Sequence, residues 1–585
     1  VPSVDRRSFF DTSLRGDLHG SRVGTMVEQG GTAAAETDHS GRRRHARRRS
    51  GAASGGLLRS SALMAAGSMV SRGTGMFRLM LQAAALGTLA VGGAYNTANT
   101  LPTSLYTLLI GGALNSVLVP QLVRARTEHA DGGQAHEQRL VTLVLSVLAV
   151  GTVVGVVLAP LIVGLYMPDT PGNHQLFELT VAFARFLLPQ IFFYGLFFML
   201  GQVLNARGRF GAMMWTPVLN NIVLITMFGL YRWLVPAPGD AASVTPAEVR
   251  LLGIGTTIGI ALQAVCLIPY LAETGFRWRP RFDWRGTGLG KSVAAARWTL
   301  LFVGVNQVAL TVVTRYANAV DAVAPKAGAG NSAYFFAQNI WMLPQGIITV
   351  SVVTAMLPRM SRAVAEHRLG DVREDLSRGL RVTGVAIVPA AFFFLAFGPQ
   401  IATVMFSYSS SGAASAQPLG QMLQAFALGL VPFSAQYLLL RGFYAFEDTR
   451  TPFWMAVWIS GLDIILATGC HLFLPPRWAV IGMAAAYAAS YAGGLLVTGL
   501  KLRHRLEGLL DGKRLVRTYG KLTAAAGAAS AVGWAVARIC SGAVPAPVVG
   551  SVLALAAGGV TMLVLFVLLA RLLRVSELRS LPGLG

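Results

Sequence analysis

Long apolar runs recur along the chain, each near the roughly 20 residues that a helix needs to cross a bilayer. Fourteen are found, near 60–86, 92–122, 139–167, 176–203, 211–231, 251–273, 298–319, 331–357, 381–406, 420–445, 453–473, 478–500, 517–540 and 548–573. The first is the least apolar; the last two are rich in Ala, Val and Leu. The pattern predicts an all-α polytopic membrane protein with fourteen transmembrane helices.

The connections test this count, because Lys and Arg concentrate in cytoplasmic loops. Alternate loops carry Arg124, Arg126 and Arg139; Arg207 and Arg209; Arg277 to Arg297; Arg359 to Arg378; Arg441 and Arg450; and Lys501 to Arg517. The intervening loops carry only Arg232, Arg250, Lys326 and Arg477. Both termini are therefore expected in the cytoplasm. Residues 1–58 form a basic tail ending in Arg42-Arg43-Arg44-His45-Ala46-Arg47-Arg48-Arg49, without an apolar core like a signal peptide's. It is expected to be disordered and to touch anionic headgroups. Residue 1 is Val, which leaves Met26 as a candidate later start of translation. The linker 276–297 mixes Trp278 and Trp284 with basic residues, with Trp298 at its edge. It is expected as an amphipathic segment at the inner interface.

Composition narrows the class. Of 585 residues, 54% are hydrophobic and 13% charged, and mean hydropathy is +0.55. Soluble proteins carry roughly 25% charge, so a soluble enzyme and a disordered chain are both excluded. The net charge of +23 is read as membrane topology rather than nucleic-acid binding. Cys266, Cys470 and Cys540 make no disulfide or metal pattern.

The chain repeats internally. Gly-Ala-Tyr-Asn-Thr-Ala-Asn around Tyr95 matches Ser-Ala-Tyr-Phe-Phe-Ala-Gln-Asn around Tyr334, an offset of 334 − 95 = 239. Leu204-Asn205-Ala206 matches Phe443-Tyr444-Ala445, at 445 − 206 = 239. Spans one to six thus map onto seven to twelve, as two pseudo-symmetric six-helix lobes in parallel orientation, with two extra C-terminal helices. Such halves usually enclose a central cavity with alternating access. The expected divisions are an N-lobe at 59–275, a C-lobe at 298–505, the last two spans within 506–574 and a cytoplasmic end at 575–585.

No nucleophile–base constellation and no Walker loop is present, so the chain is read as a transporter and not an enzyme, with no cofactor. Charges inside spans are costly and default to function. Arg72 and Arg78 lie in the first span around Gly73 and Gly75. Six residues separate faces on a regular helix, but the glycines allow a bend that would turn both guanidiniums into one cavity. Arg315 lies near the outer end of span seven, where it either lines the cavity or snorkels outward. Arg185 in span four is a weaker case. Asp463 in span eleven is either an ion or proton site or hydrogen-bonded to a neighbouring helix. Arginine forks suit phosphate, so the substrate is expected to be anionic.

These residues carry a resemblance. Ser71-Arg72 with Gly75 and Arg78, Leu101-Pro102, Gly112-Ala113, Val119-Pro120, Leu204-Asn205-Ala206-Arg207-Gly208-Arg209-Phe210, Pro217 and Asn220 resemble the MurJ (MviN) family. So do Leu343-Pro344-Gln345-Gly346, Leu357-Pro358-Arg359-Met360-Ser361 and, most specifically, Phe443-Tyr444-Ala445-Phe446-Glu447-Asp448-Thr449-Arg450-Thr451-Pro452. The resemblance covers about 59–574 and leans towards the actinobacterial branch. It implies a lipid II flippase of the multidrug/oligosaccharidyl-lipid/polysaccharide exporter superfamily, in the plasma membrane of a bacterium and serving peptidoglycan synthesis and cell shape. It implies a central cationic cavity for the diphosphate-linked head group and a polyprenyl-tail groove formed by the last two helices. Partners are lipid II, membrane lipids and cell-wall synthesis or division proteins, with no nucleic acid.

The sequence departs from the family's pattern at the residues that follow Arg78 and Pro102. Leu79 follows Arg78 where an acid is common, Thr103 to Thr107 are neutral, and Asn339 stands where an Arg is common. Arg315 is expected to compensate, giving the substrate set Arg72, Arg78, Arg315 and Asn339. Asp463 matches one carboxylate of a sodium site found in some members, while Val313 takes the place of the other. Coupling to membrane potential is therefore expected ahead of sodium or protons. The alternatives are a flippase for another polyprenyl-linked glycan, a cation-coupled drug exporter of the same fold, or a non-transporting cell-wall scaffold.

Overall fold

The computed structural model describes residues 66–87, 89–111, 133–209, 211–235, 241–276, 278–283, 289–324, 328–407, 412–507 and 511–580. The tail 1–58, Gly112 to Pro120, Arg124, Arg126, Trp284 and Lys326 lie outside them. Every regular element among the described residues is a helix. The first half contains α1 (66–86), α2 (Ala90–Tyr106), α3 (Gln134–Val157), α4 (Ala159–Tyr166), α5 (His174–Leu187), α6 (Gln190–Ala206), α7 (Gly211–Leu234), α8 (Pro246–Val265) and α9 (Leu267–Glu273). The second contains α10 (Leu289–Val323), α11 (Asn331–Pro344), α12 (Val350–Ala365), α13 (Leu369–Phe406), α14 (Gly412–Ala445), α15 (Arg450–Phe473) and α16 (Pro476–Arg505). Then come α17 (Gly512–Gly542) and α18 (Pro547–Leu572).

Twelve helical stretches among the described residues are long and apolar enough to cross a membrane, and they fall on expected spans three to fourteen. Helices α1 and α2 stand at the first two expected places but are not among those twelve. Helix α10 begins at Leu289, inside the stretch expected as linker. The preceding segment is tied to α3: Arg139 pairs with Asp283, and Arg281 Nε donates to Gln138 Oε1 at 3.0 Å. Trp298 packs on Phe453 at 5.3 Å between ring centroids, with Arg297 and Arg450 over its ring. Proline sets two of the breaks, since it lacks the donor a continuing helix needs. Pro160 opens α4 just after α3, and Pro189 precedes α6.

The internal repeat is visible in the backbone. Helix α2 runs into a π turn at Thr107–Gly111, and α11 into one at Gln345–Thr349, an offset of 345 − 107 = 238. Helices α6 and α14 end in the same cap. The Arg209 N–H donates to the Leu204 carbonyl at 2.9 Å, and the Asp448 N–H to the Phe443 carbonyl at 3.0 Å. Both caps place a left-handed residue in the turn, Gly208 at φ 74° and Glu447 at φ 57°, as this type of helix end requires.

Each half has its own aromatic centre. In the first, the buried Tyr95 ring meets Phe183 and Phe228 edge-on at 5.6 and 5.8 Å, and its hydroxyl bonds Thr256 at 2.6 Å. In the second, Tyr334 and Trp341 pack on Phe426 at 5.1 and 5.4 Å. Helix α1 joins the two: Leu79 and Ala83 belong to the second core, Ala85 and Leu86 to the first. Helices α17 and α18 approach through Gly533 and Gly558. A Cβ on either glycine would fall 2.6 Å from the other's carbonyl oxygen. Such small-residue contacts replace the hydrophobic drive that lipid removes.

A buried ion pair fixes one end of the first half. Arg207 Nη2 meets Glu137 Oε2 at 2.6 Å, with both side chains nearly inaccessible. Arg207 also donates to the Thr274 carbonyl and lies over Phe276. Removing one partner of a buried pair costs about 3–5 kcal/mol because the other charge stays buried. Glu137→Ala is expected to lower the melting temperature of the detergent-solubilised protein more than the Glu137→Ala/Arg207→Ala double variant does. Thermal denaturation of both variants checks this.

Candidate functional site

The sequence-predicted residues lie on α1, α10, α11 and α15, and the structure distributes them rather than gathering them. Helix α1 runs unbroken through Gly73 and Gly75, so no bend turns Arg72 and Arg78 together. Six residues along a helix rotate about 240°, and the two guanidiniums leave α1 on different sides. Arg72 reaches the second half, where its Nη2 donates to the Gly346 carbonyl at 2.8 Å. Gly346 lies in the π turn of α11, and a Cβ there would come within 2.7 Å of Arg72 Nη1. The glycine is what lets the arginine lie against the turn. Gly75 faces Asn221, which holds α7 to α1 through the Ser71 carbonyl and the Thr74 hydroxyl.

Arg78 faces the first half, beside Tyr95 and Tyr194. Its Nε is buried with no hydrogen-bond partner among the described residues. Tyr194 bonds Thr103, and its ring lies 5.7 Å from Tyr106. A guanidinium has five N–H donors, and these two arginines use few of theirs on the protein. Around Arg78 the neutral Thr103 and the tyrosines supply hydroxyls, and no acid stands beside it among the described residues. Sequence reasoning missed Tyr194, whose proximity to Arg78 is set by packing between helices.

Arg315 is engaged elsewhere. Its Nη1 donates to the carbonyls of Gly164 and Leu165, at 2.9 and 3.1 Å, in the last turn of α4. Those carbonyls lack helical partners, and the arginine supplies one from the other half of the molecule. Asn339 donates to the Phe335 carbonyl of its own helix at 2.8 Å.

Beside Arg315 runs a buried polar network that the sequence did not announce. Asn318 Nδ2 donates to the Tyr166 carbonyl at 3.1 Å, and its Oδ1 accepts from the Thr97 hydroxyl at 3.0 Å. Asn331 Nδ2 donates to Thr97 Oγ1 at 2.9 Å. Gln82 donates to Asn96, and Asn96 to Ser332, at 2.7 and 3.0 Å. Asp321 Oδ2 accepts the Asn331 N–H at 2.9 Å, and a Cβ on Gly330 would overlap this carboxylate. The network links α1, α2 and α4 with α10 and α11, and so joins the two halves.

Asp463 sits apart, on α15, at a cavity of about 170 Å³ that Asn306, Val313, Gln338, Ser460 and Tyr491 also line. Its Oδ1 is buried without a hydrogen-bond partner among the described residues. No cluster of three or more His, Cys, Asp or Glu occurs among the described residues. One carboxylate with neutral oxygens around it suits a proton or a monovalent cation better than a divalent ion.

Comparison with known proteins accords with this geometry. The family model described as "Lipid II flippase MurJ" matches residues 82–558. A probable lipid II flippase MurJ of Rhizobium meliloti (strain 1021) is 29% identical over 440 residues, covering 74% of this chain and 79% of its own. The lipid II flippase MurJ of Burkholderia cenocepacia is 26% identical over 414 residues, 70% and 76% of the two chains. The solved structure "Lipid II flippase MurJ, inward closed conformation" superposes with a TM-score of 0.68 at 19% identity, over 88% of this chain and 99% of that one. An inward-facing multidrug resistance MATE transporter superposes with a TM-score of 0.57 at 14% identity, over 74% and 94%. With its family model matched across most of its length and a helical fold of the same kind, this multi-pass membrane protein belongs to the MurJ family of lipid II flippases.

Proposed function

We propose that the protein flips the undecaprenyl-diphosphate-linked peptidoglycan precursor lipid II from the inner to the outer leaflet by alternating access. The observation that carries the reading is the placement of Arg72 and Arg78 on the helix that belongs to both cores, with most of their donors unspent. A diphosphate is the natural partner for such donors. With both termini cytoplasmic, the C-terminal ends of α1 and α10 face outside, and the polar network beside them is the outer gate in its closed state. In this reading 59–275 and 298–505 are the lobes, α17 and α18 guide the polyprenyl tail, and Arg315 is a gate residue rather than a substrate ligand.

Arg72→Ala and Arg78→Ala are each expected to abolish rescue of a flippase-depleted strain while membrane insertion stays intact. Lysine at either place restores growth only in part, because it lacks the planar fork. Normal growth with both residues as Ala refutes the site.

Alternation requires the gate to part. In a chain whose three cysteines are replaced, Thr97→Cys and Asn318→Cys stand where side chains now touch at 3.0 Å. Oxidation of this pair is expected to stop transport, and reductant to restore it, in a leaflet-resolved lipid II assay. Full transport by the crosslinked protein refutes alternation at this interface.

For energy, the diphosphate carries about two negative charges, and outward movement from a negative interior yields roughly 5 kcal/mol at 100 mV. Membrane potential is therefore the proposed drive, with Asp463 as the residue for any proton or sodium dependence. In proteoliposomes an imposed potential at zero sodium gradient should accelerate head-group exposure. Acceleration by a sodium gradient alone overturns this.

A further inference from the structure

Two cavities adjoin where α17 begins. One is an apolar groove of about 1160 Å³ walled by α13, α14, α16 and the first turns of α17, with Val431, Leu439, Leu495 and Leu500 in its lining. Helix α18 takes no part in it. The other is a polar cavity of about 330 Å³ between α17 and the turn after α18, lined by Arg514, Arg517, Lys521 and Arg574 together with Glu577. Arg517 lines both.

The acids nearby are already committed. Glu577 and Asp511 lie 2.8 and 4.0 Å from the buried Arg381. Lys521 caps the Leu573 carbonyl at 2.6 Å. Arg514, Arg517 and Arg574 have no ion pair among the described residues. The Tyr519 hydroxyl donates to the Leu380 carbonyl at 2.9 Å, which holds α17 against α13 and keeps the groove open beside it. An apolar channel that ends in a cluster of guanidiniums is shaped for an amphiphile with an anionic head.

We infer that this is a binding site for an anionic membrane phospholipid, with one acyl chain in the groove and the phosphodiester against Arg517 and Arg574. Charge complementarity selects an anionic over a zwitterionic head. Volume separates it from the transported lipid: about 330 Å³ takes a phosphate with a small alcohol, and a disaccharide-peptide does not fit. The site does not depend on which lipid-linked glycan is flipped.

Native mass spectrometry of the full chain, titrated with phosphatidylglycerol or phosphatidylcholine, tests it. One phosphatidylglycerol is expected to bind saturably, at least about tenfold tighter than phosphatidylcholine. Arg517→Ala/Arg574→Ala removes the head contacts and should lose about tenfold. Gly499→Trp should lose as much by filling the groove, since Gly499 faces open space and accepts a side chain. Unchanged affinity in both variants, or equal binding of phosphatidylcholine, overturns the site. Displacement of phosphatidylglycerol by equimolar undecaprenyl phosphate assigns the groove to the carrier lipid instead and overturns the proposed occupant.

Discussion

A bilayer offers no water to a polar atom that loses its partner, so the helix ends and amides where α4 and α2 meet α10 and α11 are answered from within the protein. That condition organises the interface. The last carbonyls of α4 are met by Arg315 and Asn318 of α10, and the Asn96 amide and Thr97 hydroxyl of α2 by Ser332 and Asn331 of α11. Because each partner comes from the opposite half, the two halves cannot separate at this end without a new set of donors and acceptors. In lipid, such bonds are worth about 0.6–2 kcal/mol each. Several together make this end of the interface specific, since every donor has one matching acceptor across it.

Glycine makes the polar contacts fit. Gly330 leaves the room that the Asp321 carboxylate occupies, and Gly346 leaves that of the Arg72 guanidinium. Gly533 and Gly558 do the same between α17 and α18, with backbone in place of a charged group. In each case the absent side chain lets a group come closer than a Cβ allows.

The spans were legible in the sequence because hydrophobicity over about 20 residues is a local property. The repeat was legible too, since Tyr95 and Tyr334 anchor equivalent aromatic centres in the two halves. The site was only partly so. Arg72 and Arg78 stood out as cations in an apolar run, but their directions depend on whether α1 bends at Gly73 and Gly75, and it does not. Arg315 looked like a cavity or snorkelling residue because its true partners, at Gly164 and Leu165, are about 150 positions away. Asn96, Thr97, Asn318 and Asn331 are small amides and hydroxyls that no spacing rule links. The departure at Leu79 leaves no acid next to Arg78 along α1, and Tyr95 and Tyr194 stand beside that arginine instead.

The paired π turns give the molecule a mechanical asymmetry. A π turn holds one residue more than the helix around it, and absorbing that residue re-phases everything beyond by about 100°. Helices α2 and α11 are thus shafts with a slip joint at matching heights. Arg72 grips the joint in α11 through Gly346, whereas no arginine is bonded to the backbone of the joint in α2 among the described residues. One π turn is therefore held from the α1 side by a charged hydrogen bond and its repeat counterpart is not, so two halves alike in fold differ in what restrains the same joint.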